Sequence, residues 1–177
     1  MNNTPTNQAY YLLSSERLYF RALKIDDLAA WAAFFVNNPG EKFIGPIQDS
    51  SPEEKATFWL NRQICRYEKQ EHGMLAGIRK SDGIMVGMAG LVHREINGLS
   101  ELEIGYSVIP AYWNNGYATE MAQTIKMYAN EVLKVNNLIS MIMPGNTASE
   151  KVAINNGMHL DYLAHYDNMD LNLYRTN

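Results

Sequence analysis

The stretch Tyr112-Trp113-Asn114-Asn115-Gly116-Tyr117-Ala118-Thr119-Glu120 is a compact polar turn between a strand-like run and a long amphipathic helical pattern. A junction of that kind calls for a fold in which a helix packs against a sheet. The glycine just ahead of the helix lets a ligand approach the backbone closely, and the unpaired N–H groups of the first helical turn present positive potential to an anion. The turn therefore reads as a phosphate cradle. It is neither a Walker A nor a Rossmann loop, because no lysine follows Gly116 and the G-x-G-x-x-G glycines are missing.

The elements on either side follow from periodicity and punctuation. Alternating Leu18, Phe20 and Ala22 predict a first strand over Arg17–Leu23, after which Asp26 or Asp27 caps a helix to about Val36, ended by Asn37-Asn38-Pro39-Gly40. A loop from Gly45 leads to Ser51-Pro52-Glu53-Glu54, where serine as N-cap and proline at the first position start a helix through about Gln70. Met74–Arg79, Ile84–Arg94 and Glu101–Ile109, separated by Ser81-Asp82-Gly83 and Asn97-Gly98, predict a three-stranded meander stopped by Pro110. Ala118, Met121, Ala122, Ile125, Tyr128, Ala129, Val132 and Leu133 keep the helical period over Tyr117–Lys134. Leu138–Met143 is a short strand, and Thr147-Ala148-Ser149-Glu150 resembles a capping box opening a helix to Asn156-Gly157. Strands over His159–His165 and Met169–Tyr174 turn at Asp167-Asn168. Strand, two helices, three strands, helix, strand, helix and two strands give an α/β (α+β) sandwich of helices around one sheet.

A chain of 177 residues is one domain in size, expected over 15–177 behind a flexible segment at 1–14. A net charge of −4 argues against a nucleic-acid partner, and Arg62, Arg66 and Lys69 read as a solvated helix face. The single cysteine, Cys65, has no internal disulfide partner and reads as a buried thiol in a reducing compartment. Residues 1–15 lack the basic and apolar regions of a signal peptide or anchor, so the expectation is a cytoplasmic protein with no membrane partner.

Taken together, Glu16-Arg17-Leu18-Tyr19-Phe20-Arg21 followed by Asp26 or Asp27, Glu103-Ile104-Gly105-Tyr106 leading into Pro110-Ala111-Tyr112-Trp113, and Asn146-x-x-Ser149 followed by Asn156-Gly157-Met158 resemble the GCN5-related N-acetyltransferases (GNAT). Within them the likeness is to the branch that acetylates ribosomal-protein N-termini, and it covers nearly everything from Ser15 onward. The superfamily's Q/R-x-x-G-x-G/A loop falls on Trp113–Ala118, with tryptophan in place of the leading Gln or Arg. The resemblance implies a mostly antiparallel sheet of about six to seven strands with about four helices. It also implies acetyl-CoA as cosubstrate, bound where the strand ending near Ile109 splays from Leu138–Met143, and no metal. Backbone groups of Tyr106, Ser107 and Val108 would bond the pantetheine amides. The N–H groups of Asn114, Asn115, Gly116, Tyr117 and Ala118 would hold the pyrophosphate, and Asn146 would bond the pantetheine. Gly116 and Asn146 also have plainer readings, as a helix-start glycine and a loop or cap residue.

Acetyl transfer to an amine needs a group to take the ammonium proton, since an alkylammonium of pKa about 10 is not a nucleophile. Glu103 is the candidate base, on the strand face that the resemblance turns toward the acceptor. It could equally be a cross-strand partner for a lysine or arginine. His93 or a water chain is the reserve. An N–H near Val108 could hold the oxyanion. The family's tyrosine acid position is Ala153 here, which leaves Ser149 near the sulfur, or leaves it as a helix-start serine. Glu120 reads as structural, and the loop Asn37–Ser51 with Asp167-Asn168 as cover for the acceptor end, where acidic groups would suit a cationic acceptor. The expected function is transfer of acetyl to a primary amine of a protein N-terminus or small molecule, by a monomer or homodimer. The alternatives are a non-catalytic acyl-CoA sensor and a phosphate- or nucleotide-binding protein unrelated to coenzyme A.

Overall fold

A computed structural model of the protein describes residues 6–44 and 50–176, so residues 45–49 of the loop expected to cover the acceptor end lie outside it. Among the described residues the helices are α1 (Thr6–Tyr10), α2 (Leu28–Ala32), α3 (Pro52–Glu68), α4 (Tyr117–Tyr128) and α5 (Thr147–Asn155). The strands are β1 (Leu18–Ala22), β2 (Gly73–Arg79), β3 (Met85–Ile96), β4 (Leu99–Val108), β5 (Ile139–Ile142), β6 (Met158–Tyr166) and β7 (Met169–Thr176). They form one open seven-stranded sheet in the order β1-β2-β3-β4-β5-β7-β6. Every neighbouring pair is antiparallel except β4 and β5, whose parallel run needs the crossover that α4 supplies. No described helix is long and apolar enough to cross a membrane.

Local chemistry accounts for the main junctions. The Ser51 hydroxyl accepts from the Glu54 N–H while the Glu54 carboxylate accepts from the Ser51 N–H, so both ends of the expected capping box close. Asn97 (φ 52°) and Gly98 (φ 77°) both take the left-handed conformation that a two-residue hairpin requires, as do Asp167 (φ 51°) and Asn168 (φ 60°). One face of the sheet packs Leu75, Leu91 and Ile104 against Met121 and Ile125 of α4. The other packs Met74, Ile78 and Met88 against Trp31, Phe34, Phe35 and Leu60 from the α2 and α3 side.

Several expectations are corrected. The helix expected to reach Val36 is broken into a 3-10 turn (Ile25–Asp27), α2 and a second 3-10 turn (Ala33–Phe35). Trp31 stacks on Phe34 at 4.6 Å, an i, i+3 pairing that suits the tighter winding. The helix expected to reach Lys134 instead leaves α4 as a π-helical turn over Ala129–Leu133. Asn146, not Thr147, caps α5, with its Oδ1 accepting from the Ser149 N–H at 3.2 Å. Cys65 is exposed, because the buried stripe of α3 runs through Ala56, Leu60 and Gln63, and Cys65 lies about 200° round the helix from Gln63.

The segment read as flexible up to residue 14 carries a core anchor. Tyr10 is fully buried, and its hydroxyl donates to the Gly73 carbonyl at 2.6 Å and accepts from the Leu91 N–H at 2.8 Å. Gly73 and Leu91 are register partners at the end of the β2–β3 ladder, so the phenol is inserted between two strands. Gly90 makes room for it: a Cβ there would fall 2.1 Å from the Gly73 carbonyl oxygen and 2.7 Å from the Tyr10 hydroxyl.

Asp27 does not cap α2 from its start. Its carboxylate reaches back to the Lys24 N–H at 2.9 Å and takes both nitrogens of Arg21 at 2.7 Å. Burial works against the charge, but Arg21 and the Lys24 N–H outweigh it and hold the carboxyl below its ordinary pKa. Asp27→Ala is therefore expected to cost about 2–3 kcal/mol at neutral pH, less than a fully buried pair because Arg21 is part-exposed. Since the folded-state pKa is depressed, this contribution is present above the unfolded value of about 3.9 and is lost as pH falls through the folded one. Urea midpoints of wild type and variant should be well separated at pH 7 and draw together as pH falls from about 4 through the lower folded-state value.

Candidate active site

β4 and β5 are paired only at Glu103 and Ile139, and the space beyond that pair is a cleft of about 1150 Å³ lined from both strands, α3, the 113–119 turn and the start of α5. The Ser140 hydroxyl donates to the Ile104 carbonyl at 2.8 Å, closing the apex. On the far side of β4, the Ile109 N–H donates to the Val86 carbonyl of β3 at 2.9 Å. Strand alternation between these two points turns the N–H and C=O of Tyr106 and the N–H of Val108 toward the cleft, while the backbone of Ser107 faces Met88. The Val108 carbonyl accepts the Trp113 indole N–H at 2.7 Å, which pins the turn to the strand end.

At one end of the cleft, Asn114 (φ 61°) and Gly116 (φ 77°) adopt left-handed backbone, and Gly116 is the N-cap of the twelve-residue α4. Asn114, Gly116, Tyr117 and Ala118 line the cleft. Asn115 is not among the lining residues, and its side-chain amide donates back to the carbonyls of Tyr112 and Trp113. Glu120 braces the turn from behind. Its carboxylate accepts from the Ser15 hydroxyl (2.7 Å), the Arg17 N–H (2.8 Å) and Arg17 Nε (2.7 Å), while Arg17 also donates to the Asn115 carbonyl and lies 4.6 Å over the Tyr117 ring. Burial opposes the charge on Glu120, but these donors prevail and its pKa sits below the usual carboxylate range.

Midway, the Tyr106 hydroxyl donates to the Ser149 carbonyl at 2.7 Å, bridging the cleft from β4 to the first turn of α5. Burial, reinforced by the Glu103 charge, raises the Tyr106 pKa. Asn146 and Ser149 line this stretch, with the Asn146 oxygen spent on its cap.

At the other end, Glu103 is 8% exposed, and its Oε2 accepts Arg94 Nε at 2.6 Å. Oε1 takes no bond among the described residues. The two readings of Glu103, cleft carboxylate and cross-strand partner, thus hold at once. His93 is displaced from the site: its register partner Leu102 faces the α4 core, its ring lies 6.1 Å from that of His72, and it is not among the lining residues. Arg62, exposed as expected of a solvated face, and Arg66, which is half-buried, both line the cleft, with Lys42 from the loop and Arg94. Asp167 lines it too, yet this end is dominated by arginine, against the acidic character expected. The i, i+4 spacing of Arg62 and Arg66 beside Phe58 and Trp59 was the available signal, since it places the four on neighbouring strips of one helix.

The acetyltransferase (GNAT) domain model matches residues 17–159 of the chain. Among curated proteins the chain is similar to the uncharacterized N-acetyltransferase YoaA of Bacillus subtilis (strain 168), at 25% identity over 82% of this chain and 81% of that one. Among solved structures it is similar to the acetyltransferase from Agrobacterium tumefaciens str. C58, with TM-score 0.77, 28% identity and 93% of both chains covered. The fold is also that of Mycobacterium smegmatis RimJ in complex with CoA-disulfide, with TM-score 0.72, 17% identity, and 92% of this chain and 85% of that one covered. The divided sheet, the left-handed turn ahead of α4 and the span of the matched domain converge on one assignment: the chain belongs to the GNAT acetyltransferases.

Proposed function

We propose that the protein transfers the acetyl group of acetyl-CoA to a primary amine by direct attack of the amine on the thioester. The observation that carries this reading is the continuity of the cleft, which runs from the backbone cradle at Gly116 past the outward-facing amides of Tyr106 and Val108 to the carboxylate of Glu103. The coenzyme A complex of RimJ, a protein of the same fold, supports the choice of donor. Acetyl-CoA supplies an acyl carbon open to attack and a thiol leaving group of pKa near 8.5.

Each part of the chain has a separate task. The N–H groups of Asn114, Gly116, Tyr117 and Ala118 and the positive end of α4 hold the pyrophosphate. Tyr106 pairs its backbone with pantetheine as one strand pairs with another, and Asn146 and Ser149 flank the arm. The Val108 N–H bonds the oxygen that gains charge as the carbon–nitrogen bond forms. Arg94 lowers the pKa of a bound ammonium from about 10 by like-charge repulsion, and Oε1 of Glu103 takes its proton directly or through water. The second nitrogen proton passes to sulfur as the carbon–sulfur bond breaks. The Tyr106 hydroxyl is committed to the Ser149 carbonyl and orients the α5 turn, which leaves the Ser149 hydroxyl as the proposed relay.

The test is thiol release from acetyl-CoA across peptides, polyamines, amino acids and aminoglycosides, alongside thermal melting. Acetyl-CoA at about 100 times its Kd should raise Tm by about 5–10 °C, and ATP should not. Absence of release with every amine, or an equal shift with ATP, would overturn the reading.

A further inference from the structure

The α3 face of the acceptor end is built from hydrogen-bond donors. Trp59, Arg62, Gln63 and Arg66 occupy i, i+3, i+4 and i+7 on α3, hence one face of the helix, and all four line the cleft. Gln63 is fully buried. Its Oε1 accepts from the Met74 N–H (3.0 Å) and from Arg66 (3.1 Å), which fixes the amide and leaves Nε2 as a donor without an acceptor among the described residues. Trp59 Nε1 is likewise buried and unpartnered among the described residues. Arg62 stacks over the Phe58 and Trp59 rings, and neither Arg62 nor Arg66 makes an ion pair among the described residues. Arg94 is matched by Glu103, while Arg62, Arg66 and Lys42 share the lining with Asp167, and Glu71 and Glu103 lie within electrostatic reach of Arg66. Burial, then the charges of Arg62 and Arg94, lower the Arg66 pKa, as expected of a cation lacking its counterion.

Arginine, indole and amide N–H groups offer no acceptor to a ligand, so the part of a ligand that lies against α3 is matched by oxygen lone pairs and negative charge. We infer that the amine acetylated here carries an anionic oxygen group, a carboxylate or a phosphate, which Arg62 and Arg66 hold while its amino group faces Glu103. The inference rests on the acetyltransferase reading above and narrows it to one class of acceptor. A cationic polyamine, by contrast, meets guanidinium groups that have no ion-pair partner among the described residues.

Matched amines decide the matter: aspartate against asparagine, phosphoethanolamine against ethanolamine, and an acidic against a neutral peptide of the same length. In at least one pair the anionic member should have kcat/KM about 10- to 100-fold above its neutral partner, the range given by a charge-assisted bidentate contact. The winning pair identifies carboxylate or phosphate. Arg62→Gln and Arg66→Gln should each shrink that ratio toward one, mainly through KM, with the acetyl-CoA melting shift retained as proof of fold. Should Arg66→Gln unfold the protein through its Gln63 contact, Arg62→Gln and the wild-type ratios still decide. Neutral amines used as well as their anionic partners would overturn the inference and leave the acetyltransferase reading intact. Failure of every amine would remove both.

Discussion

Glu103→Gln is expected to lower kcat by about 100-fold or more while leaving the acetyl-CoA melting shift as large as in the wild type. Glutamine preserves the shape of the side chain and can still accept from Arg94, which engages only Oε2. What it lacks is a proton-accepting carboxylate oxygen at the position of Oε1. The groups proposed to hold the donor, at Tyr106, Val108 and Gly116, lie elsewhere along the cleft, so binding and turnover should separate. Turnover within about threefold of wild type would remove Glu103 from the role of base and leave it as the partner that holds Arg94. A protein that bound acetyl-CoA without releasing thiol before or after substitution would be the sensor rather than the enzyme.

Tyr10→Ala is expected to be strongly destabilising, at about 4 kcal/mol. Truncating a large buried aromatic costs about 3–5 kcal/mol, and here it also leaves the Gly73 carbonyl and Leu91 N–H without the group inserted between them. Tyr10→Phe retains the ring and loses only the hydroxyl, so about 1–3 kcal/mol is expected. Urea midpoints at unchanged slope would give both values. If Tyr10→Ala cost less than about 1 kcal/mol, the short helix at Thr6–Tyr10 would be an accessory rather than part of the core.

Element order was legible because each element carries its own local punctuation: Ser51-Pro52 at one helix, Asn97-Gly98 and Asp167-Asn168 at two hairpins, Gly116 before another helix. Tyr10 was not, since a single aromatic in a polar segment has no period, and its partners lie 63 and 81 residues away. The placement of His93 was partly legible. A two-residue turn at Asn97-Gly98 fixes Ile96 opposite Leu99, and counting back sets Glu103 opposite Val92. Arg94 therefore shares the face of Glu103, and His93 takes the other. The donor character of the α3 face could not be read in the same way, because Arg62 and Arg66 look like any solvated pair until the β2–β4 surface is brought beneath them.

The single ladder pair between β4 and β5 has a mechanical consequence. The sheet is two panels, of four and three strands, riveted at Glu103–Ile139, at Ser140–Ile104 and by the ion pair of Arg175 with Glu101. A ligand lying along the exposed amides beyond those rivets is a removable stitch between the panels. The stiffness of the protein and the residence time of its donor are then two measures of the same joint, and a tighter seam would be bought with a slower cycle.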